Sequence, residues 1–182
     1  MKITLVRHTS VAVPKGICYG ISDVSLAPTF RSEMDQIWQK IGSEKFDAII
    51  SSPLIRCTIP ATELARKLSV QTDSRLTELN FGDWEMAEWS SIFESPEGKN
   101  WFSDYVNTRC PNGESFIDLT DRIKSFIADL QKNSFNRVLI VTHAGILRAM
   151  ICLLQGKSPK EAFNTPLEYG QIISFNIEND VY

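Results

Sequence analysis

Val138-Leu139-Ile140-Val141-Thr142-His143-Ala144-Gly145 carries an apolar run into a threonine and a histidine, and Ile146 to Leu154 then continues as a helical stretch closed by Gly156. A short β-like run that ends at polar residues and turns directly into a helix is the unit from which parallel sheets are built. The pattern recurs at the N-terminus, where Ile3 to Val6 ends at Arg7-His8. It occurs a third time where Phe46 to Ile50 reaches Ser51-Ser52-Pro53. That sequence predicts an N-capped helix with proline at its first position and Arg56 in its first turn.

Outward from these three units the periodicity is helical. Phe30, Met34, Ile37, Trp38 and Ile41 share one face ahead of Gly42, and Phe116, Leu119, Ile123, Phe126, Ile127 and Leu130 share another within Ser115 to Leu130. Pro60 interrupts the span from Leu54 to Leu68, where its missing N–H predicts a kink. Gln171 to Ile177 reads as a late strand at the sheet edge. The expected fold is α/β, a three-layer α/β/α arrangement with a mostly parallel central sheet, in one domain spanning residues 1–182. Around residues 80–111, Trp84, Trp89, Phe93, Trp101, Phe102 and Tyr105 are mixed with acids and turn formers, which predicts a small helical cap insertion.

Composition narrows the class. With 19 basic and 22 acidic residues among 182, the net charge is −3, so there is no broad cationic surface for a nucleic-acid backbone. The four cysteines form no CxxC pair, which argues against a zinc site or a disulfide framework. Neither the N-terminal segment nor the longest apolar run, Ala149 to Leu154, is long enough for a signal-peptide core or a membrane span. The expected protein is soluble and cytoplasmic, with no membrane or nucleic-acid partner; its oligomeric state is left open.

The chain has two histidines, and both follow apolar runs at the ends of strands. One such imidazole is usually a hydrogen-bonded core residue; two at equivalent places point to a site, because ligand crevices in these folds lie at the carboxyl ends of the strands. Arg7 adjoins His8, and Arg56 opens the helix after Ser51-Ser52-Pro53. Planar guanidinium forks beside a histidine suit an oxyanion such as phosphate. No carboxylate or cysteine stands at ligand spacing near either histidine, so no metal is expected. Among the acids, Glu78 enters the turn Leu79-Asn80-Phe81-Gly82, but Asp83 and Glu85 compete with it on spacing alone.

Taken in order, Leu5-Val6-Arg7-His8, Ser51-Ser52-Pro53-Leu54-Ile55-Arg56-Cys57, Leu76-Thr77-Glu78 with Phe81-Gly82-Asp83-Trp84-Glu85, Pro111-Asn112-Gly113-Glu114-Ser115 and Val141-Thr142-His143-Ala144-Gly145 resemble the motifs of the histidine phosphatase superfamily. Cys18-Tyr19-Gly20 with Asp23 and Leu26 is similar to its α-ribazole phosphatase branch. The resemblance implies catalysis by His8, Glu78, His143, Arg7 and Arg56. It also implies binding of a small phosphate monoester by Arg7, Arg56, His143, Tyr19, Gly20 and Ala144, with no cofactor. His8 would be the nucleophile and Glu78 the proton donor.

Two departures stand out: Thr9-Ser10 replaces the common Gly-Glu, which removes a mutase-like carboxylate, and Met86 replaces the glycine usual after Trp-Glu. The expected activity is a phosphomonoesterase, with α-ribazole 5′-phosphate as the substrate. A broad small-molecule phosphatase, a phosphoglycerate mutase and a noncatalytic phospholigand-binding module are the alternatives. Phosphoglycerate is disfavoured, because its carboxylate needs an extra cationic contact and the Tyr19 loop and the aromatic insert offer no spare basic cluster beyond Lys15, Lys99 and Arg109.

Overall fold

The computed structural model describes residues 1–177. Five strands, β1 (Lys2–Arg7), β2 (Ala48–Ser51), β3 (Val70–Thr72), β4 (Arg137–Thr142) and β5 (Ile172–Asn176), form one sheet in the order β3-β2-β4-β1-β5. All pairings are parallel except that of β5, which runs antiparallel to β1 at the edge. Alternation sends side chains to two cores. Ile3, Leu5, Ile50, Val138 and Ile140 face the helices α5 (Phe116–Gln131) and α6 (Ala144–Gln155), whereas Val6, Ile49, Leu139 and Val141 face α1 (Phe30–Ile41) and α2 (Ile55–Ala65). This is the three-layer α/β/α arrangement expected from the sequence.

Between β3 and α5 the chain makes two short helices, α3 (Trp89–Glu94) and α4 (Pro96–Ser103). Their rings pack on one another and on the loop before them: Trp101 contacts Trp84, Trp89, Phe102 and Tyr105, with centroids 5.0–6.1 Å apart. A seventh helix, α7 (Pro159–Asn164), brings Phe163 against Tyr105 and Phe116. Neither α7 nor the three-residue β3 was anticipated.

The segment after β2 differs from expectation. Helix α2 begins at Ile55 rather than at Pro53, and its N-cap, Leu54, supplies no side-chain bond. The Ser52 hydroxyl is held by His143 instead (2.8 Å), and Asp23 reaches across from the first long loop to accept the Ile55 N–H (2.8 Å). The helix passes through Pro60 and ends at Ala65, three residues before the expected Leu68, because Arg66 turns to a φ of +54°. Helix α5 starts as expected behind Ser115, whose side chain forms a reciprocal capping box with Asp118.

Candidate active site

Strand register assembles the site. Arg7 pairs with Thr142 and Ser51 with Val141, so the next residue of each strand, His8, His143 and Ser52, emerges beside the others. The His8 N–H donates to the Thr142 carbonyl (2.9 Å), the Ser52 N–H to that of Val141 (3.0 Å), and the two imidazole centroids lie 5.2 Å apart.

The hydrogen bonds define both tautomers. His8 Nδ1–H donates to the Thr9 carbonyl (2.7 Å), which leaves the Nε2 lone pair unshared. His143 Nδ1 accepts from Arg56 Nε–H (3.3 Å), so its Nε2–H donates to Ser52. Burial, followed by the charge of Arg56, lowers His8 from its ordinary 6.5 to about 3. Burial and Arg56 likewise hold His143 well below the usual histidine range. Two neutral imidazoles therefore lie beside permanent cations. The Cys57 sulfur lies 3.5 Å from His143 Nε2, a neighbour that sequence spacing did not reveal; burial raises this thiol, which keeps it protonated.

Arg56 is fully buried and spends much of its fork on the protein, donating through Nη1 to the Ser22 carbonyl (2.7 Å) and through Nη2 to that of Gly20 (2.5 Å). Arg7 donates to the Leu167 carbonyl and lies 4.1 Å from the centroid of Tyr169, while its Nε and the buried Thr9 hydroxyl have no hydrogen-bond partner among the described residues. Tyr19 faces Arg56 with its ring centroid 5.5 Å away, and the phenol oxygens of Tyr19 and Tyr169 meet at 2.5 Å. The ring of Tyr169 also stands 5.6 Å from His8. Two tyrosines from opposite ends of the chain thus roof the histidines and guanidiniums. Tyr169 gave no signal in the sequence, because only the antiparallel pairing of β5 brings its loop here.

The structure separates the three acids. Glu85 accepts from the N–H groups of Gly20, Ile21, Ser22 and Phe81 and from the Ser22 hydroxyl, so it organises the Tyr19 loop. Burial would raise its pKa, but the Ser22 hydroxyl and those backbone donors together hold it below the usual carboxylate range. Asp83 accepts from the Asn112 side chain at the surface. Glu78 instead stands at the N-terminus of α6, where both carboxylate oxygens accept the Gly145 N–H (3.1 Å each). A Cβ at residue 145 would fall 2.2 Å from Glu78 Oε1, so only glycine permits this approach.

Glu78 also lines a cavity of about 170 Å³ walled by Phe81, Trp101, Tyr105, Phe116 and Phe163 and floored by Ala144 and Gly145. Arg148 lines it too. This cation stands outside the Tyr19 loop and the aromatic insert, where Lys15, Lys99 and Arg109 are the basic residues. It follows Ala144 by four residues along α6, on the same face of the helix, where no loop pattern signals it. Among the described residues no cluster of three or more His, Cys, Asp or Glu comes together as a metal cage, and no helix is long and apolar enough to cross a membrane.

Two histidines and two arginines at adjoining strand ends, with a carboxylate at the following helix, occur here in the order of the five motifs, and the sequence profile of the histidine phosphatase superfamily (branch 1) matches residues 3–182. The chain belongs to that superfamily. It is 31% identical over 162 residues to phosphoserine phosphatase 1 of Hydrogenobacter thermophilus, covering 86% of this chain and 77% of the relative. It is 29% identical to the adenosylcobalamin/alpha-ribazole phosphatase of Escherichia coli K12, over 89% of this chain and 82% of that one. The crystal structure of the alpha-ribazole phosphatase from Shigella flexneri superimposes with a TM-score of 0.88 at 25% identity, covering 98% of this chain and 91% of the other. The membership makes this histidine phosphatase a phosphatase enzyme.

Proposed function

We propose that this histidine phosphatase hydrolyses a small phosphate monoester through a phosphohistidine at His8. The observation that carries the reading is the His8 imidazole, kept neutral with its Nδ1–H on the Thr9 carbonyl and its Nε2 lone pair unshared beside Arg7, Arg56 and His143. The lone pair attacks phosphorus; the bond from phosphorus to the ester oxygen breaks, its electron pair stays on that oxygen, and protonated Glu78 supplies the proton that completes the alcohol. Glu78, now a carboxylate, takes a proton from water as the water oxygen attacks phosphorus. The bond from phosphorus to Nε2 breaks, and its electrons return to the imidazole. Arg7, with the remaining donors of Arg56, stabilises the charge on the transferring group, where positioned cations contribute most of the catalysis. No metal takes part in these steps.

The aromatic wall beside Glu78 supports α-ribazole 5′-phosphate as substrate, with the benzimidazole against Phe81 and Trp101. A second reading, hydrolysis of phosphoserine, is favoured by cavity size: about 170 Å³ lies below the roughly 300–1,000 Å³ that encloses drug-sized ligands. The deciding experiment for the chemistry is rapid quenching with radiolabelled substrate. An acid-labile, alkali-stable label on His8 is expected, both label and turnover vanish in His8→Ala, and a chelator leaves the rate unchanged. Full turnover in His8→Ala, or activity lost to chelator and restored by zinc or magnesium, overturns the reading.

A further inference from the structure

The cavity beside Glu78 has an apolar wall and two lining residues with unsatisfied donors. Arg148 Nη1 and Trp101 Nε1 are both buried, neither has a hydrogen-bond partner among the described residues, and both residues line this cavity. Buried donors are almost always paired in folded proteins, and an unpaired one costs about 1–3 kcal/mol, more when it is charged. Of the four buried side-chain atoms without a partner among the described residues, two belong to residues lining this one cavity of about 170 Å³. Among the described residues Arg148 forms no ion pair, and its guanidinium carbon lies 5.1 Å from the centroid of Phe163.

We propose that Arg148 and Trp101 form a carboxylate subsite for the leaving group, so that the preferred substrate is a small alkyl phosphate carrying a carboxylate near its ester oxygen. Both free groups are donors, which matches a ligand that only accepts, and a guanidinium pairs with a carboxylate in a fixed plane. Place supports the assignment as well. Arg148 is one helical turn beyond Ala144, whose neighbour Gly145 holds Glu78, so an ester oxygen at Glu78 puts the rest of a short alcohol against Arg148. A second anion entering beside Glu78 needs a cation to offset the repulsion, and Arg148 supplies it. The phosphate itself is held elsewhere, by the strand-end residues, so the two anions of such a substrate have separate sites. A neutral benzimidazole would leave both donors buried and unpaired.

The inference rests on the phosphatase reading above, and one set of kinetics separates the two. O-Phospho-L-serine and O-phosphoethanolamine differ by one carboxylate, and p-nitrophenyl phosphate carries none. In the wild-type enzyme kcat/KM for phosphoserine exceeds that for phosphoethanolamine by about 100-fold or more, as expected where a site built for a polar group meets an analogue lacking it. Arg148→Met collapses that ratio to within about tenfold of one, and Trp101→Phe, which keeps the ring and removes only the N–H, lowers it about tenfold. A wild-type ratio near one, a ratio unchanged in both variants, or faster turnover of a benzimidazole riboside 5′-phosphate than of phosphoserine overturns the subsite. His8-dependent hydrolysis of p-nitrophenyl phosphate alongside a ratio near one removes the subsite and leaves the phosphatase; loss of all His8-dependent hydrolysis removes both.

Discussion

Glu78 and Gly145 lie 67 residues apart in sequence, yet both carboxylate oxygens of the first accept the backbone N–H of the second at 3.1 Å. The first turn of α6 therefore fixes where the acid stands. Glu78→Gln keeps the shape and removes the carboxyl group that the proposed mechanism uses as its acid. It lowers kcat/KM for an alkyl phosphate by about 100-fold or more while changing that for an aryl phosphate, whose leaving group needs little protonation, by far less. Equal losses on the two substrates transfer the role to another group.

Gly145→Ala tests the same contact from the other side. The added methyl would fall 2.2 Å from Glu78 Oε1, so the carboxylate must swing away from the helix. The expected result is an alkyl phosphatase defect resembling that of Glu78→Gln, with the aryl substrate again less affected. An alanine enzyme with wild-type activity on alkyl phosphates shows that the position of Glu78 does not matter.

The buried histidines make stability depend on pH. In the unfolded chain an imidazole protonates near 6.5; folded His8 does so only near 3, because of burial and then Arg56, and His143 is depressed for the same reasons. Below 6.5 the unfolded state binds more protons, so this stability is complete above that pH and is lost as pH falls toward 3 for His8. The loss approaches about 1.4 kcal/mol per histidine per pH unit. Urea unfolding at pH 7 and pH 5 should differ by about 2 kcal/mol from His8 alone, with His143 acting in the same direction. His8→Asn should remove that part of the difference. In the folded enzyme His8 remains neutral over this interval, so the pH–rate profile shows no limb from His8 between pH 5 and 7.

Met86 explains one departure from the family pattern. It adopts a φ of +66° while its N–H donates to the Cys18 carbonyl (2.7 Å), and its side chain is 52% exposed. The left-handed region costs an L-residue about 1–2 kcal/mol and glycine little. Met86→Gly is expected to hold or raise stability by up to about 1 kcal/mol, and Met86→Val to lower it by about 1–2 kcal/mol. Chemical denaturation measures both, and stabilisation by valine is inconsistent with the strained backbone.

The paired tyrosines restrict entry. His8 is only 2% exposed, beneath a phenol pair joined at 2.5 Å. If a phosphate reaches Nε2 only when that pair parts, affinity is reduced by the fraction of time it stays closed. Tyr169→Phe keeps the ring against Arg7 and removes the bond to Tyr19, so KM for a small phosphate ester should fall about fivefold. A rise in KM means instead that the phenol contacts the substrate.

Legibility in the sequence followed the distance over which each residue is placed. The neighbouring placement of His8 and His143 is legible because each follows its own strand, and that of Arg56 because it opens a helix beside one. Glu78 could not be distinguished from Asp83 and Glu85 by spacing, since what separates them is which backbone donors surround each: α6 for Glu78, the Tyr19 loop for Glu85 and Asn112 for Asp83. The start of α2 and its missing hydroxyl cap are not legible because His143, 91 residues from Ser52, claims that hydroxyl. Arg148 and Tyr169 are defined only by tertiary neighbours, the aromatic cavity and the edge strand, and no local pattern announces either.

Strand order also determines when the enzyme can first exist during its own synthesis. Strand β1 is made before β2 and β3, yet its partners on either side are β4 and β5, the two described strands that come after both in the chain. Until they arrive its apolar edges have no native match, and closing so long a loop is slow. Until β4 is made, β1 is therefore an edge without its native partner, the kind of strand that invites aggregation. His8 also lacks its neighbour His143 until then, so activity should begin only once β4 is free to dock.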